Sequence, residues 1–302
     1  MPGHMTQVMT FGTCVHDLLA ERVDLPTDGS VHTRLAHDTG PLTSTWRSVM
    51  DLLREISRWS HVIIGFTGLV AFWFPVFARK GGPLHRKAGT VFVICGYFVT
   101  ASAALSCGLI TYKIFNLGVA EKNANNLASI AFLAYLAWVT FVMLRYSVGV
   151  LRTKKDPTQL GTPGWRLLAW SAIGASAAIV AFAIVFPTDN SILLYALSPI
   201  GIGTGLPMLR YMNGKITSKK AWFYEHLSAT LSAGIAFHTA FAVFGAARLF
   251  TLPSTGLLSV LPWVLPAAVG TPALILWKRY YQRKFGDLPT ASARDPIAST
   301  AT

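Results

Sequence analysis

The stretch His61–Lys80, HVIIGFTGLVAFWFPVFARK, decides the fold. No charge interrupts it between His61 and Arg79, and it ends on two adjacent cations. A helix of roughly 20 apolar residues crosses the hydrocarbon of a bilayer and satisfies its own backbone there. Working outward, six further apolar runs follow. The predicted spans lie near 61–79, 88–112, 125–147, 166–187, 190–211, 223–249 and 255–277. A 302-residue chain that is 52% hydrophobic and 13% charged carries more apolar surface than one soluble core can cover. The expected architecture is therefore an all-α, polytopic bundle of seven transmembrane helices.

Charge sets the expected orientation. The first loop holds Arg79, Lys80, Arg86 and Lys87. The third is flanked by Arg145 and Arg166 and holds Arg152, Lys154 and Lys155; the fifth holds Lys215, Lys219 and Lys220 beside Arg210. The tail 278–302 opens with Lys278 and Arg279 and continues to Arg283 and Lys284. The alternate loops are poor in cations: Lys113 and Lys122 offset by Glu121, then Asp189 alone, then Arg248. The positive-inside bias puts the N-terminus outside and the basic tail in the cytoplasm of a cell-membrane protein. The net charge of +13 is thus spent on topology, and no basic groove with interleaved aromatics points to nucleic acid. The partner the sequence calls for is the lipid bilayer. Trp59, Trp165, Trp222 and Trp277 lie near span ends, where interfacial tryptophans sit.

Residues 1–45 are polar and mildly acidic and are expected to be disordered. They lack the basic start and apolar run of a cleavable signal. Between residues 46 and 60, Trp46, Val49, Met50, Leu53, Ile56 and Trp59 share one helical face. This predicts an amphipathic helix on the membrane surface or a helical lead-in to the first span. Met50 is an alternative start that would leave the first 49 residues outside the natural chain. Cys95 and Cys107 fall in one helix about three turns apart, too far to bridge, and Cys14 has no evident partner.

Small residues should mark the helix contacts. Gly96, Thr100, Ala104 and Gly108 recur every four residues in the second span, and Ser228, Ser232, Ala236 and Ala240 do so in the sixth. The fifth span contains SPIGIGTGLP, Ser198–Pro207, which should kink or unwind. Either it is a bent packing helix or it forms a broken-helix transport site. Pro262, Pro266 and Pro272 should bend the seventh.

Ionisable residues in or beside spans are costly and so are candidates for function. His85, Glu225 and His226 fall at the inner edge, and His61 and His238 in the outer half. Two imidazoles from different helices at one depth are what axial ligation of a b-type haem requires, so His85 with His226, and His61 with His238, form the candidate haem pairs. Helical phase turns His226 and His238 to different faces, and the outer pair is not level. Glu225, His226 and His85 form an alternative metal set. A transporter using the fifth span with His238, and an assembly factor without a ligand, are the other readings. No retinal lysine, P-loop or nucleophile elbow occurs.

These residues carry a resemblance. The elements are His61-x3-Gly65; Gly81-Gly82-x2-His85-Arg86-x2-Gly89; Trp222-x-Tyr224-Glu225-His226; His238-Thr239-Ala240-Phe241; Leu261-Pro262; Gly270-x-Pro272; and Tyr280-Tyr281-x-Arg283-Lys284-Phe285. From His61 to Phe285 the chain resembles a family of uncharacterised bacterial multi-pass membrane proteins defined by a domain of unknown function. The resemblance implies an integral membrane protein and brings no activity with it.

Overall fold

The structure is a computed structural model that describes residues 41–116, 124–188, 191–214, 218–245 and 257–287. The expected extension up to residue 40, Cys14, the Glu121–Lys122 pair, Asp189, Lys215, Arg248 and the tail beyond Asp287 lie outside the described residues. The described residues are helical, with no strand among them. The helices are α1 (Pro41–Phe77), α2 (Pro83–Asn116), α3 (Ala124–Arg152), α4 (Pro163–Val185), α5 (Ser191–Leu197), α6 (Pro199–Met212), α7 (Ala221–Ala240) and α8 (Leu257–Lys284). A 3₁₀ turn, Pro157–Gly161, precedes α4, and a π-helical turn, Phe241–Gly245, extends α7. Seven helical segments are long and apolar enough to cross a membrane, with α5 and α6 together making the fifth.

Helix α1 is continuous from Pro41, so residues 46–60 run unbroken into the first span. The side chains of Trp46, Val49, Met50 and Leu53 lie outside the described residues, whereas Ile56 and Trp59 are exposed. Helix α8 runs through Pro262, Pro266 and Pro272 without interruption and carries seven residues of the expected tail, Lys278–Lys284, as helix.

Helix α3 is the hub. Buried residues make up 67% of its most apolar window against 6% for the seventh span. It packs on α2, α4 and α7, while α1 packs on α2 and α8 on α7. Phe72, Phe92, Phe132, Leu144, Phe237 and Trp263 form one core cluster; Val142, Tyr146, Leu160, Met208 and Tyr211 form a second. The alanine-rich α4 has a definite buried face: Ala169, Ala172, Ser176, Ile179 and Ala183. Against it, Gly201 and Gly205 bring α6 so near that a Cβ at either would collide with the backbone carbonyl of Ala172 or Ala169. This is small-residue packing of the kind helices use in lipid. At Gly203 a Cβ would meet nothing within 4 Å.

The small-residue line of α2 holds for half its length. Gly96 packs against Leu144 and Thr100 is buried, but Ala104 and Gly108 are exposed. Four residues are about 400° of helix, so three steps rotate the line by about 120°, off the interface. On α7, Ser228, Ser232, Ala236 and Ala240 are all half-buried.

The fifth span breaks at Ser198, as its prolines and glycines predict. Its freed backbone groups are met by side chains of other helices. The Tyr135 hydroxyl, from α3, donates to the Ser198 carbonyl at 2.8 Å and accepts the Gly201 amide at 2.8 Å. Ser176 Oγ, from α4, accepts the Ile202 amide at 3.1 Å. Two neighbouring helices thus supply the N-terminal caps that α6 lacks in its own sequence.

Candidate functional site

One end of the bundle begins with the loop from Ala78 to Gly82. Gly81 adopts φ +76°, which favours glycine, and Gly82 N–H bonds Arg79 O at 3.0 Å. This tight turn returns the chain at once into α2 and brings two basic side chains onto the end of α1. Lys80 Nζ donates to the Pro75 and Val76 carbonyls at 2.7 and 2.8 Å, and His85 Nδ1 donates to Pro75 O at 3.1 Å. Both residues cap carbonyls that have no helical partner. Burial pulls the Lys80 ammonium below its ordinary range.

Two consecutive residues of α3 face two of α7. Tyr146 donates to Glu225 Oε2 at 2.9 Å. The His226 Nδ1 lies 2.9 Å from Ser147 Oγ and donates to the Ser147 carbonyl at 3.2 Å. Ser147 Oγ also meets Thr230 Oγ1 at 2.6 Å. Packing sets the depth of His85 relative to this cluster. Cβ positions at Gly65 and Gly68 on α1 adjoin Val99 and Cys95 on α2, a stepping that puts His85 level with about Arg79. Phe66 beside Phe241, and Gly234 against Phe72, put that level near His226 on α7.

By this stepping the expected inner pair, His85 and His226, falls at similar depth on α2 and α7. Each imidazole is held by Nδ1–H on a backbone carbonyl, and no hydrogen bond engages either Nε2 among the described residues. A carbonyl that fixes Nδ1–H leaves the lone pair on Nε2, the arrangement found behind metal-bound imidazoles.

The expected outer pair does not meet. His61 Nδ1 lies 2.7 Å from Ser102 Oγ on α2. By the α1–α7 stepping, His61 is level with about Gly245, some seven residues or roughly 10 Å above His238. His238 is also occupied on both nitrogens. Its Nε2 accepts the Trp73 indole N–H at 3.1 Å, and its Nδ1 donates to the Gly234 carbonyl at 2.7 Å. Indole N–H only donates and a carbonyl only accepts, so His238 is a neutral cross-link between α1 and α7.

The metal set Glu225, His226 and His85 does not close. Among the described residues no three His, Cys, Asp or Glu side chains converge to hold a metal ion. Glu225 and His226 are successive on one helix, about 100° apart, and each is drawn to its own partner on α3. The residues sequence reasoning missed are Lys80, Tyr146, Ser147 and Thr230. Depth was the available signal: Arg145-Tyr146-Ser147 ends the third span at the level where Glu225-His226 opens the sixth.

A second feature closes the same end. Gly286 takes φ +72°, its N–H bonds Arg283 O, and the Asp287 N–H bonds Gln282 O at 2.8 Å, a Schellman turn that ends α8. The Asp287 carboxylate accepts from Ser218 and Tyr224, both at 2.6 Å, and those bonds hold its carboxyl below the ordinary Asp range.

The bundle and its polar cluster at that end define the class: a helical protein with seven helices long and apolar enough to cross a membrane. No protein family, curated protein or solved structure matches the chain.

Proposed function

We propose that this is a multi-pass protein of the cell membrane, N-terminus outside and C-terminus in the cytoplasm, that holds one b-type haem between His85 and His226 at its inner edge. The carrying observation is the pair of Nδ1 anchors on Pro75 and Ser147 carbonyls, which leaves two Nε2 lone pairs on different helices at one depth. The donor set fits this group better than a bare metal ion. A porphyrin supplies four of the six ligands to its iron, so two imidazoles complete it, whereas a structural zinc site needs four protein ligands. When bound, a haem of this kind carries single electrons. The chain's part is to orient both imidazoles, and Tyr146, Glu225, Ser147 and Thr230 fix α7 against α3 so that His226 keeps its place.

One observation favours a second reading, an assembly factor without a ligand: His85 and Lys80 also serve as the C-terminal cap of α1. The transporter reading loses its main support, because Tyr135 and Ser176 already satisfy the break in the fifth span. The resemblance of the His61–Phe285 motifs to bacterial multi-pass proteins agrees with the membrane placement and stands on those residues alone.

The test is an absorption spectrum of protein purified after haem-replete expression. A Soret band with a sharpened α band on reduction is expected, lost in both His85→Ala and His226→Ala and kept in His61→Ala. A colourless preparation that melts normally would leave the ligand-free reading.

A further inference from the structure

Beside the end of α1, the bundle leaves a cleft of about 630 Å³ between the first loop and α8. Val76, Phe77 and Trp277 make its apolar part. Arg79, Lys80 and Lys284 supply three cations to its lining. Among the described residues none of these three has a carboxylate within ion-pair distance; the one ion pair found there joins Arg58 to Glu55. Two of them face rings: Lys80 Nζ lies 5.0 Å from the centre of Trp277, and Lys284 Nζ 5.8 Å from that of Tyr280. An ammonium has three N–H donors. Lys80 uses two on Pro75 and Val76, and the third remains for a ligand. Three cations brought into one cleft without an acid repel one another unless an anion joins them. The cost of half-burying Lys80, already visible in its lowered affinity for a proton, has the same remedy.

We propose that this cleft binds the phosphate headgroup of an anionic phospholipid from the inner leaflet. Its place favours a lipid over a soluble phosphate. The apolar part of α1 ends here at Phe77, which is 79% exposed, so a headgroup on Arg79, Lys80 and Lys284 would lay its acyl chains along the lipid-facing side of that helix. Basic pockets between helices on the cytoplasmic side are where anionic headgroups bind. Trp277, Tyr280 and Tyr281 suit the same level, since amphipathic rings settle among headgroups. The cleft adjoins the haem proposal through Lys80, which shares the Pro75 carbonyl with His85, but it uses neither His85 nor His226.

The test is native mass spectrometry of the intact, detergent-purified protein titrated with phosphatidylglycerol or phosphatidylcholine, with inorganic phosphate as competitor. One saturable phosphatidylglycerol is expected per chain, with phosphatidylcholine clearly weaker. Arg79→Gln and Lys284→Gln, both at exposed positions, should each weaken binding about fivefold, the usual effect of one basic residue at a membrane surface. Lys219→Gln, exposed on the same side but outside the cleft, should leave binding unchanged. Equal affinity for both lipids, or equal weakening by Lys219→Gln, would overturn the site. Displacement of the lipid by inorganic phosphate in the millimolar range would overturn its assignment to lipid.

Discussion

Replacing Tyr135 by Phe removes one oxygen from the middle of the bundle and should be among its costly single changes. That hydroxyl seals the break in the fifth span: it donates to Ser198 O and accepts from Gly201 N–H, each at 2.8 Å, with Ser176 Oγ at 3.3 Å. Phe fills the same space, so packing is kept and the loss is polar. An orphaned buried N–H costs about 1–3 kcal/mol, and a carbonyl deprived of its donor adds about 1 kcal/mol, giving roughly 2–4 kcal/mol in all. Water is a poor rescuer, because Tyr135 is 5% exposed and Gly201 is buried. Ser176→Ala should cost less, about 1–2 kcal/mol, since it orphans the Ile202 N–H alone. The two losses should not add, because the hydroxyls adjoin. The assay is reversible unfolding in mixed micelles, followed by tryptophan fluorescence. If Tyr135→Phe falls within about 0.5 kcal/mol of the parent, the break is satisfied by something other than these side chains, and the case against a ligand site in the fifth span fails with it.

Other outcomes follow from single contacts. Gly201→Leu and Gly205→Leu should each destabilise by about 3 kcal/mol or more by overpacking against α4, while Gly203→Ala should be neutral or slightly stabilising in the same melts. His238→Ala should cost about 1–3 kcal/mol through the orphaned Trp73 indole and leave any absorption spectrum untouched; loss of a Soret band in this variant would refute the axial assignment. Asp287→Asn should loosen the C-terminal turn in a pH-dependent way. The folded carboxyl titrates below the ordinary value of 3.8, so its contribution is full above that pH and is lost as pH falls through the lower, folded value. Melting curves of parent and variant should therefore differ at pH 6 and converge only as pH falls below 3.8 and through the lower folded value; a difference that persists below both values would refute the role.

The span count was legible because seven runs of near-uninterrupted apolar residues leave a helix no other way to cover its sides. The break at Ser198 was legible from local chemistry, since Pro199 has no N–H to donate. What seals it was not. Tyr135 lies 63 residues from Ser198, and nothing in its neighbourhood distinguishes it from any aromatic in a span. The glycines of the fifth span read as a place to kink or unwind, yet Gly201 and Gly205 serve close approach to α4, and the sequence does not say which of three glycines faces a neighbour. Depth alone singled out His85 and His226 as a candidate pair. The sequence could not show that His238 is occupied on both nitrogens, because that depends on how α1 lies against α7 and so on Trp73. The metal triad failed for a related reason: adjacency on a helix separates side chains rather than gathering them.

Everything here depends on seven crossings, and labelling tests that most directly. With Cys14, Cys95 and Cys107 replaced by Ser, single cysteines at Pro187 and Lys219, both exposed positions on opposite sides of the fifth span, are exposed to a membrane-impermeant maleimide. Pro187→Cys should react on intact cells, and Lys219→Cys only after the membrane is opened. Reaction of both from the same side would contradict the topology and every placement that rests on it.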